Sequence, residues 1–320
     1  MKAAVRLRPP SRLGPIGEPS SGQRRVTHRR GARRSFRVWW FIVPGLAIYL
    51  FVIVVPAIQG AFYGFTSWDG LSGAIKYVGF ANFKKILHDP VALGAIRQTL
   101  YLTVAVTVGV TIIGLLMALG VKSMIKSRKA IRVVLFAPAV VAPVMTAFLW
   151  QYILSPYGAL NSLLADVGMS RFEENWLGSP RLALWSVSGV MIWQFSGYAM
   201  VIFLAGLEGI DASVTEAADV DGASALKKFR YVILPLLVPA AIINIMLFSI
   251  MGLKEFDTVW IMTQGGPGNA TQTLATVIYQ DAFNLSEFGY AIAVALFLSV
   301  LVMVVSSVLY RSMIRRSRPL

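Results

Sequence analysis

Apolar runs separated by short polar segments dominate the chain from Val38 onward. A helix rises about 1.5 Å per residue, so about 20 mostly apolar residues cross the hydrocarbon of a bilayer. Six runs meet that length: Val38–Phe65, Thr99–Val121, Ile131–Leu154, Ala183–Leu207, Leu234–Leu253 and Gly289–Tyr310. The fourth and fifth are the most polar inside. Pro44, Pro56, Pro138 and Pro143 fall within spans, where neighbouring helices can satisfy the backbone groups a proline frees. The pattern predicts an all-α membrane protein with six transmembrane helices. It divides the chain into a basic tail, 1–37, expected to be disordered; a membrane domain, 38–310; and a short basic C-terminal tail, 311–320.

Composition supports lipid as the solvent. The chain is 56% hydrophobic and only 14% charged, against about a quarter charged in soluble proteins. Without cysteine there is no disulfide framework and no thiolate metal site. His28 and His88 are far apart in polar sequence, which argues against a histidine metal site or triad. A net charge of +15 suggests nucleic acid until its placement is read. Of the 30 Lys and Arg, 23 fall in four segments that six alternating spans put on one side: the N-terminal tail, Lys122–Arg132, Glu208–Ile233 and the C-terminal tail. The other side holds seven: Lys76, Lys84, Lys85, Arg97, Arg171, Arg181 and Lys254. The positive-inside bias predicts a multi-pass plasma-membrane protein with both termini cytoplasmic, beside anionic lipid and not nucleic acid. The Arg33–Phe36 stretch faintly resembles a twin-arginine signal, but the next run is long enough to span and five more follow.

The outer segments have shape. Residues 82–98 read as a short amphipathic element lying on the membrane, and 155–168 as another with turn residues ahead of it. Residues 263–273, TQGGPGNATQT, read as a turn-rich external loop. No Lys-Ser or Lys-Thr follows its glycines, so it is not a phosphate loop. Lys254, Glu255 and Asp257, just past the fifth span, read either as a solvated, mutually paired rim or as a gate or docking edge.

The cytoplasmic segment at about 208–235 is different. It runs into EAADVDGASALKKFRYVILPLL, Glu216 to Leu237. Ser213-Val-Thr-Glu216 has the capping-box form, with Ser213 accepting the third amide and Glu216 reaching back. A short helix from about Val214 to Asp221 should end in a left-handed turn at Gly222. Ser224 can cap a second helix carrying Lys227, Lys228 and Arg230, and Pro235 marks entry to the fifth span. A calcium loop is excluded, because its first and last ligand positions would be Ala217 and Lys228. The bland reading is a folded connector. The other is a docking helix whose small Ala217 and Ala218 allow a partner close approach.

Glu216-Ala217-Ala218, three residues, Gly222, then Val232-x-Leu234-Pro235 resembles the EAA loop of binding-protein-dependent ABC importer permeases. That family usually has Ile at the position of Val232. FIVPGLAIYLFVIVVPAIQGAFYGFTSW, YVGFANFKKIL, SPYGALNSLL and TQGGPGNATQTLATVIYQDAF look like elements of its carbohydrate-uptake branch, so the resemblance covers most of the chain from about residue 38. It implies a type I importer permease fold that forms half of a sugar or oligosaccharide path and has no catalytic residue, cofactor or metal of its own. It implies as partners a second, homologous permease, an ATPase dimer that binds ATP and Mg, and an extracellular solute-binding protein. By the same resemblance Glu216, Ala217, Ala218, Asp221, Gly222, Leu234 and Pro235 couple the permease to the ATPase.

Sugars need polar groups for their hydroxyls and aromatic faces for their C–H surfaces, in a cavity near the bilayer midplane. The fourth span offers Trp193, Gln194 and Tyr198, and the fifth Asn244, Phe248 and Ser249. Gln194 and Tyr198 are four apart and share a helix face, as do Asn244 and Phe248. Buried amides also hold helices together, so both roles stay open for Gln194 and Asn244. A secondary transporter would usually need internal repeats and a buried ionisable group, and neither is found. A membrane enzyme would want paired carboxylates or a nucleophile with its base. The carboxylates here cluster instead in the helical loop.

Overall fold

The computed structural model describes residues 42–71, 73, 75–123 and 127–317, with side chains to residue 313. The basic tail 1–37, the start of the first span and the last three residues lie outside them. The chain divides into two units, residues 1–56 and 57–320. Of the first, a single apolar helix is described. It belongs to α1, Ile42–Tyr63.

Beyond Pro56 the described residues are helical apart from turns and one isolated bridge between Thr66 and Tyr77. In order come α2 (Ala81–Ile86), α3 (Pro90–Ser123), α4 (Arg128–Val140), α5 (Pro143–Ile153), α6 (Ala159–Asp166) and α7 (Ala183–Glu208). Then follow α8 (Ala212–Val220), α9 (Ala225–Leu236), α10 (Val238–Leu253), α11 (Asp257–Thr263), α12 (Leu274–Tyr279) and α13 (Phe288–Ser317). Among the described residues, four helices are long and apolar enough to cross a bilayer: α1, α3, α7 and α13. Two bent pairs, α4 with α5 and α9 with α10, bring the number to six if each pair is one span.

Those bends correct the sequence reading. The predicted third span, Ile131–Leu154, breaks at Val141-Ala142 and turns through 91°. Pro143 opens α5 as its first residue, where its missing N–H costs nothing. The predicted fifth span bends by 63° between Leu236 and Val238. Pro235 does not mark that entry. It sits inside α9, and Leu234 before it is helical, with φ −61° and ψ −43°. A π-turn over Phe229–Ile233 makes this possible. The same arrangement recurs in α1, where a π-turn over Leu50–Val54 precedes Pro56.

The second span also starts early. Asp89 accepts the Val91 amide at 2.9 Å, and the helix begins at Pro90 rather than Thr99. Half of the surface element expected at 82–98 is therefore the first part of α3, and only α2 stands apart from it. The element expected at 155–168 is present as α6. The sixth span continues past Tyr310 to Ser317, into the segment read as a tail.

Three apolar clusters hold the second unit. The first joins Leu102, Val106 and Val110 of α3 to Val187, Met191 and Phe195 of α7 and Phe248 of α10. The second gathers Ile86, Leu274, Val277, Tyr290 and Val294, where α2, α12 and α13 meet. The third packs Ala118 and Val121 against Phe203, Leu204, Leu207 and Leu237. In lipid such contacts gain by close packing rather than by leaving water. Gly197 shows how close: a Cβ there would stand 2.7 Å from the Leu135 carbonyl oxygen, so α4 lies directly on α7.

Candidate functional site

The loop between α7 and α10 folds from its own sequence. Lys122 of α3 donates to the Leu207 carbonyl at 3.1 Å, and Arg132 of α4 pairs with Glu208 at 2.9 Å. The end of α7 is thus tied to the adjoining ends of α3 and α4 immediately before the loop begins.

The first loop helix, α8, is capped by Asp211, whose carboxylate accepts the Ser213 amide at 2.9 Å. That bond holds the Asp211 carboxyl below the usual carboxylate range. The expected Ser213–Glu216 capping box is not formed. Ser213 lies within the helix, which runs Ala212–Val220 instead of Val214–Asp221. The cap belongs two residues earlier because Asp211 has extended backbone, φ −60° and ψ 132°, which a cap requires. Glu216 and Ala217 are exposed, while Ala218 is buried against the loop.

α8 ends as expected. Gly222 has φ +70°. Its amide reaches the Asp219 carbonyl at 3.1 Å, and the Ala223 amide reaches Ala218 at 3.0 Å. These two bonds satisfy carbonyls that the helix end leaves free. Ser224 then caps α9 by accepting the Lys227 amide. Lys228 reaches back to Asp219 at 2.6 and 2.9 Å, closing a clasp across the glycine turn that the sequence reading missed. Asp221 is exposed, as is Pro235, and Leu234 is partly covered. On its outer surface the loop presents Val220 and Leu226, two large apolar side chains free of the fold.

The six residues read as a substrate path fall into two groups. Gln194, Asn244, Phe248 and Ser249 are buried, and Trp193 and Tyr198 are exposed. Gln194 donates to the Val141 carbonyl at 3.0 Å, at the break between α4 and α5. Asn244 donates within its own helix to Ala240 at 3.1 Å. The other oxygen of each amide, Gln194 Oε1 and Asn244 Oδ1, is buried without a partner. Ser249 meets Thr107 of α3 at 3.4 Å. Phe248 lies 6.3 Å from Phe195, measured between ring centres. Trp193 stands edge-on to Trp150 at 5.3 Å, and Tyr198 edge-on to Phe136 at 5.2 Å. So Gln194 and Tyr198, four apart, do not converge: one turns into the helix break and the other outward.

Past the fifth span, Glu255 is not part of a paired rim. It accepts the Thr258 amide of the first turn of α11 at 2.8 Å, and burial pushes its carboxyl up. The expected turn-rich segment is tightly built. Thr263 and Thr271 hydroxyls meet at 2.7 Å, and Thr273 with Thr276 forms a capping box for α12. The Leu274 amide donates to Thr99 of α3 at 2.9 Å.

This architecture has known counterparts. A bacterial ABC transporter involved in import of the acidic polysaccharide alginate superposes with a TM-score of 0.77 over 89% of this chain and 98% of that one, at 20% identity. The multiple sugar-binding transport system permease of Streptococcus mutans is 33% identical over 84% of this chain and 92% of its own length. The diacetylchitobiose uptake system permease of Streptomyces coelicolor is 30% identical over 91% of this chain and 87% of its own. Residues 110–319 match the family described as the binding-protein-dependent transport system inner membrane component. The chain belongs to that family and is a membrane-spanning permease of ABC importers.

Proposed function

We propose that this permease imports a sugar or oligosaccharide, with α8, Gly222 and α9 acting as the coupling element toward a cytoplasmic ATPase. The observation that carries the reading is the clasped helix-turn-helix: capped by Asp211 and Ser224, closed by Asp219 and Lys228, and displaying Val220 and Leu226 outward. Such a loop is pre-organised and apolar at its tip, which suits docking into a partner's cleft. The names of the relatives, for multiple sugars in one case and diacetylchitobiose in another, support sugar as the substrate class. ATP and Mg belong to the ATPase subunits, and a second permease supplies the other half of the path. An extracellular solute-binding protein delivers the sugar. Trp193 and Tyr198 are exposed in the single chain, as a wall completed by a second permease would be.

The distribution of Lys and Arg supports cytoplasmic termini, which puts α8 and α9 on the ATPase side. The test is uptake by the reconstituted complex, with labelled mono- and oligosaccharides inside a matched panel. Uptake should require ATP and the binding protein. Sugar accumulation by this chain without an ATPase would replace the reading with a secondary transporter.

A further inference from the structure

Where α2, α12 and α13 meet, charged side chains gather that neither the coupling loop nor the path uses. They line a polar cavity of about 200 Å³. Lys85 comes from α2, Asp89 from the turn before α3 and Asp281 from the turn after α12, while Glu287 and Tyr290 flank the start of α13. Val91, Asn269 and Leu285 of the lining are exposed, so the cavity opens at the surface.

Most of these groups are already matched. Lys85 pairs with Glu287 and lies over the Tyr290 ring, 4.1 Å from its centre. Asp89 accepts the Tyr290 hydroxyl at 2.8 Å and the Val91 amide at 2.9 Å. Asp281 differs. It is only 9% exposed, its Oδ2 is buried without a partner, and no ion pair of the described residues includes it.

A carboxylate withdrawn from water without a donor is costly, and one kept in a fold asks for a reason. Burial first, then the charges of Glu287 and Asp89, push the Asp281 carboxyl up to about 6, and Lys85 alone pulls it down. Three carboxylates against one ammonium leave the cavity negative, so its complement is a cation. Among the described residues no three acidic or histidine side chains stand close enough to hold a metal ion. An ammonium or guanidinium needs no such convergence. It brings its own N–H donors and can satisfy a lone carboxylate by a charge-assisted bond. Cytoplasmic termini put Asp89, Asp281 and Glu287 on the outer side, where a solute-binding protein arrives.

We propose that this cavity receives a lysine or arginine side chain of the solute-binding protein, which bonds to the Asp281 carboxylate when that protein docks. The inference rests on the importer reading above and gives it a contact on the outer face. Complementary charge of this kind fixes the register of docking and suppresses wrong partners. Glu287 and Tyr290 hold Lys85, and the Asp281 carboxylate stays available until the partner arrives.

The test is docking of the sugar-loaded binding protein on the complete transporter in nanodiscs, followed by biolayer interferometry at pH 5 and pH 8. Asp281→Asn keeps the shape and removes the charge. At pH 8 it should weaken docking about tenfold, the scale of a hydrogen bond to a charged group. At pH 5 most Asp281 in the free permease is already protonated, so the difference should shrink to about twofold. Taking the ratio of wild type to variant cancels any titration of the binding protein itself. Equal docking at pH 8 would overturn the proposal and leave the cavity to water. A tenfold loss at both pH values would also overturn it, since a role independent of charge would then be at work. Wild-type docking lost in EDTA and restored by calcium would replace the side chain with a metal ion. A binding protein that fails to dock on the wild type would defeat the importer reading itself, whereas normal docking with an indifferent Asn variant defeats this inference alone.

Discussion

The Gln194 side-chain amide and the Val141 carbonyl meet at 3.0 Å where α4 gives way to α5. In an unbroken helix that carbonyl would accept the amide four residues on. The 91° bend withdraws it, and a side chain from α7 takes its place. Gly197, one turn further along α7, lets α4 lie close enough for the bond to form. Gln194, for which sequence left open both a sugar contact and a bond between helices, thus holds a helix break by its N–H, while its Oε1 stays without a partner.

Gln194→Ala should therefore slow transport without disassembling the complex. Membrane side-chain hydrogen bonds average about 0.6 kcal/mol, which is too little to unfold six helices. The Val141 carbonyl is nonetheless left unpaired, and the angle between α4 and α5 loses its restraint. Gln194→Met keeps the volume but has no donor, and should behave like Gln194→Ala. Uptake by both variants at wild-type rates, with the complex intact, would remove any role for this bond.

Asn244 makes the opposite case. Its amide bonds only within α10, and its Oδ1 is buried and unpaired. Leucine removes the desolvation penalty of the unpaired Oδ1 and gives up only the bond to Ala240, where a membrane side-chain bond averages about 0.6 kcal/mol. Asn244→Leu should keep or raise the melting temperature of the complex. If uptake still collapses, Oδ1 is reserved for something that passes through, and Asn244 belongs to the path. Normal uptake with higher stability would strike it from the path.

Much of the fold was legible in the residues. Apolar runs of the right length gave the spans, Gly222 gave the left-handed turn, and Ser224 gave the second cap. What failed has common physical causes. Ser213 and Asp211 are both good caps, and only the backbone angle at Asp211 decides between them. Pro138 and Pro143 announce a disturbance in the third span, yet a kink tolerated within one span and a right-angled break look alike in sequence. Pro235 misled because a π-turn ahead of it absorbs the strain, and no residue type marks a π-turn. The pairings Asp219 with Lys228 and Gln194 with Val141 depend on three-dimensional approach, which spacing along the chain cannot express.

Asp281 gives a pH prediction. Its carboxyl is buried near Glu287 and Asp89 with one ammonium, Lys85, to offset them. Desolvation and then the Glu287 charge push it up to about 6. A carboxyl raised in the fold above its unfolded value near 3.8 favours the protonated native state. Stability from this group is fully present below pH about 4 and is lost as pH rises through about 6. Asp281→Asn should raise stability by about 1 kcal/mol at pH 8, after allowance for solvent screening. At pH 4 it should change little. Thermal unfolding of the detergent-solubilised complex at both values checks this. A variant less stable than wild type at pH 8 would contradict the sign.

Topology can be read directly, because the chain has no cysteine. Ser127 and Asn269 are both exposed and lie in segments that six spans put on opposite sides. With cytoplasmic termini, Asn269→Cys should react with a membrane-impermeant maleimide in intact cells, and Ser127→Cys only after permeabilisation. The reverse pattern would put α8 and α9 outside and end the coupling proposal.

Gly222 is the most exacting site in the loop. At φ +70° a side chain is strained, although nothing lies within 4 Å of where its Cβ would be. The penalty is thus conformational and not steric against a neighbour. A residue forced into the left-handed region costs roughly 1–2 kcal/mol, and asparagine visits it more readily than others. A β-branched residue is the worst choice. Gly222→Val should open the turn, separate Asp219 from Lys228 and uncouple α8 from α9. Membrane insertion should survive, since no span is touched. Transport should be lost through weaker ATPase binding or through hydrolysis without movement of sugar. Gly222→Asn, with the same open space around it, should retain much of the activity. That ordering, Gly above Asn above Val, distinguishes a demand for backbone angle from a demand for room. ATPase co-purification and uptake measured on all three chains provide the check, and a Val variant equal to wild type in both would leave this loop a mere connector.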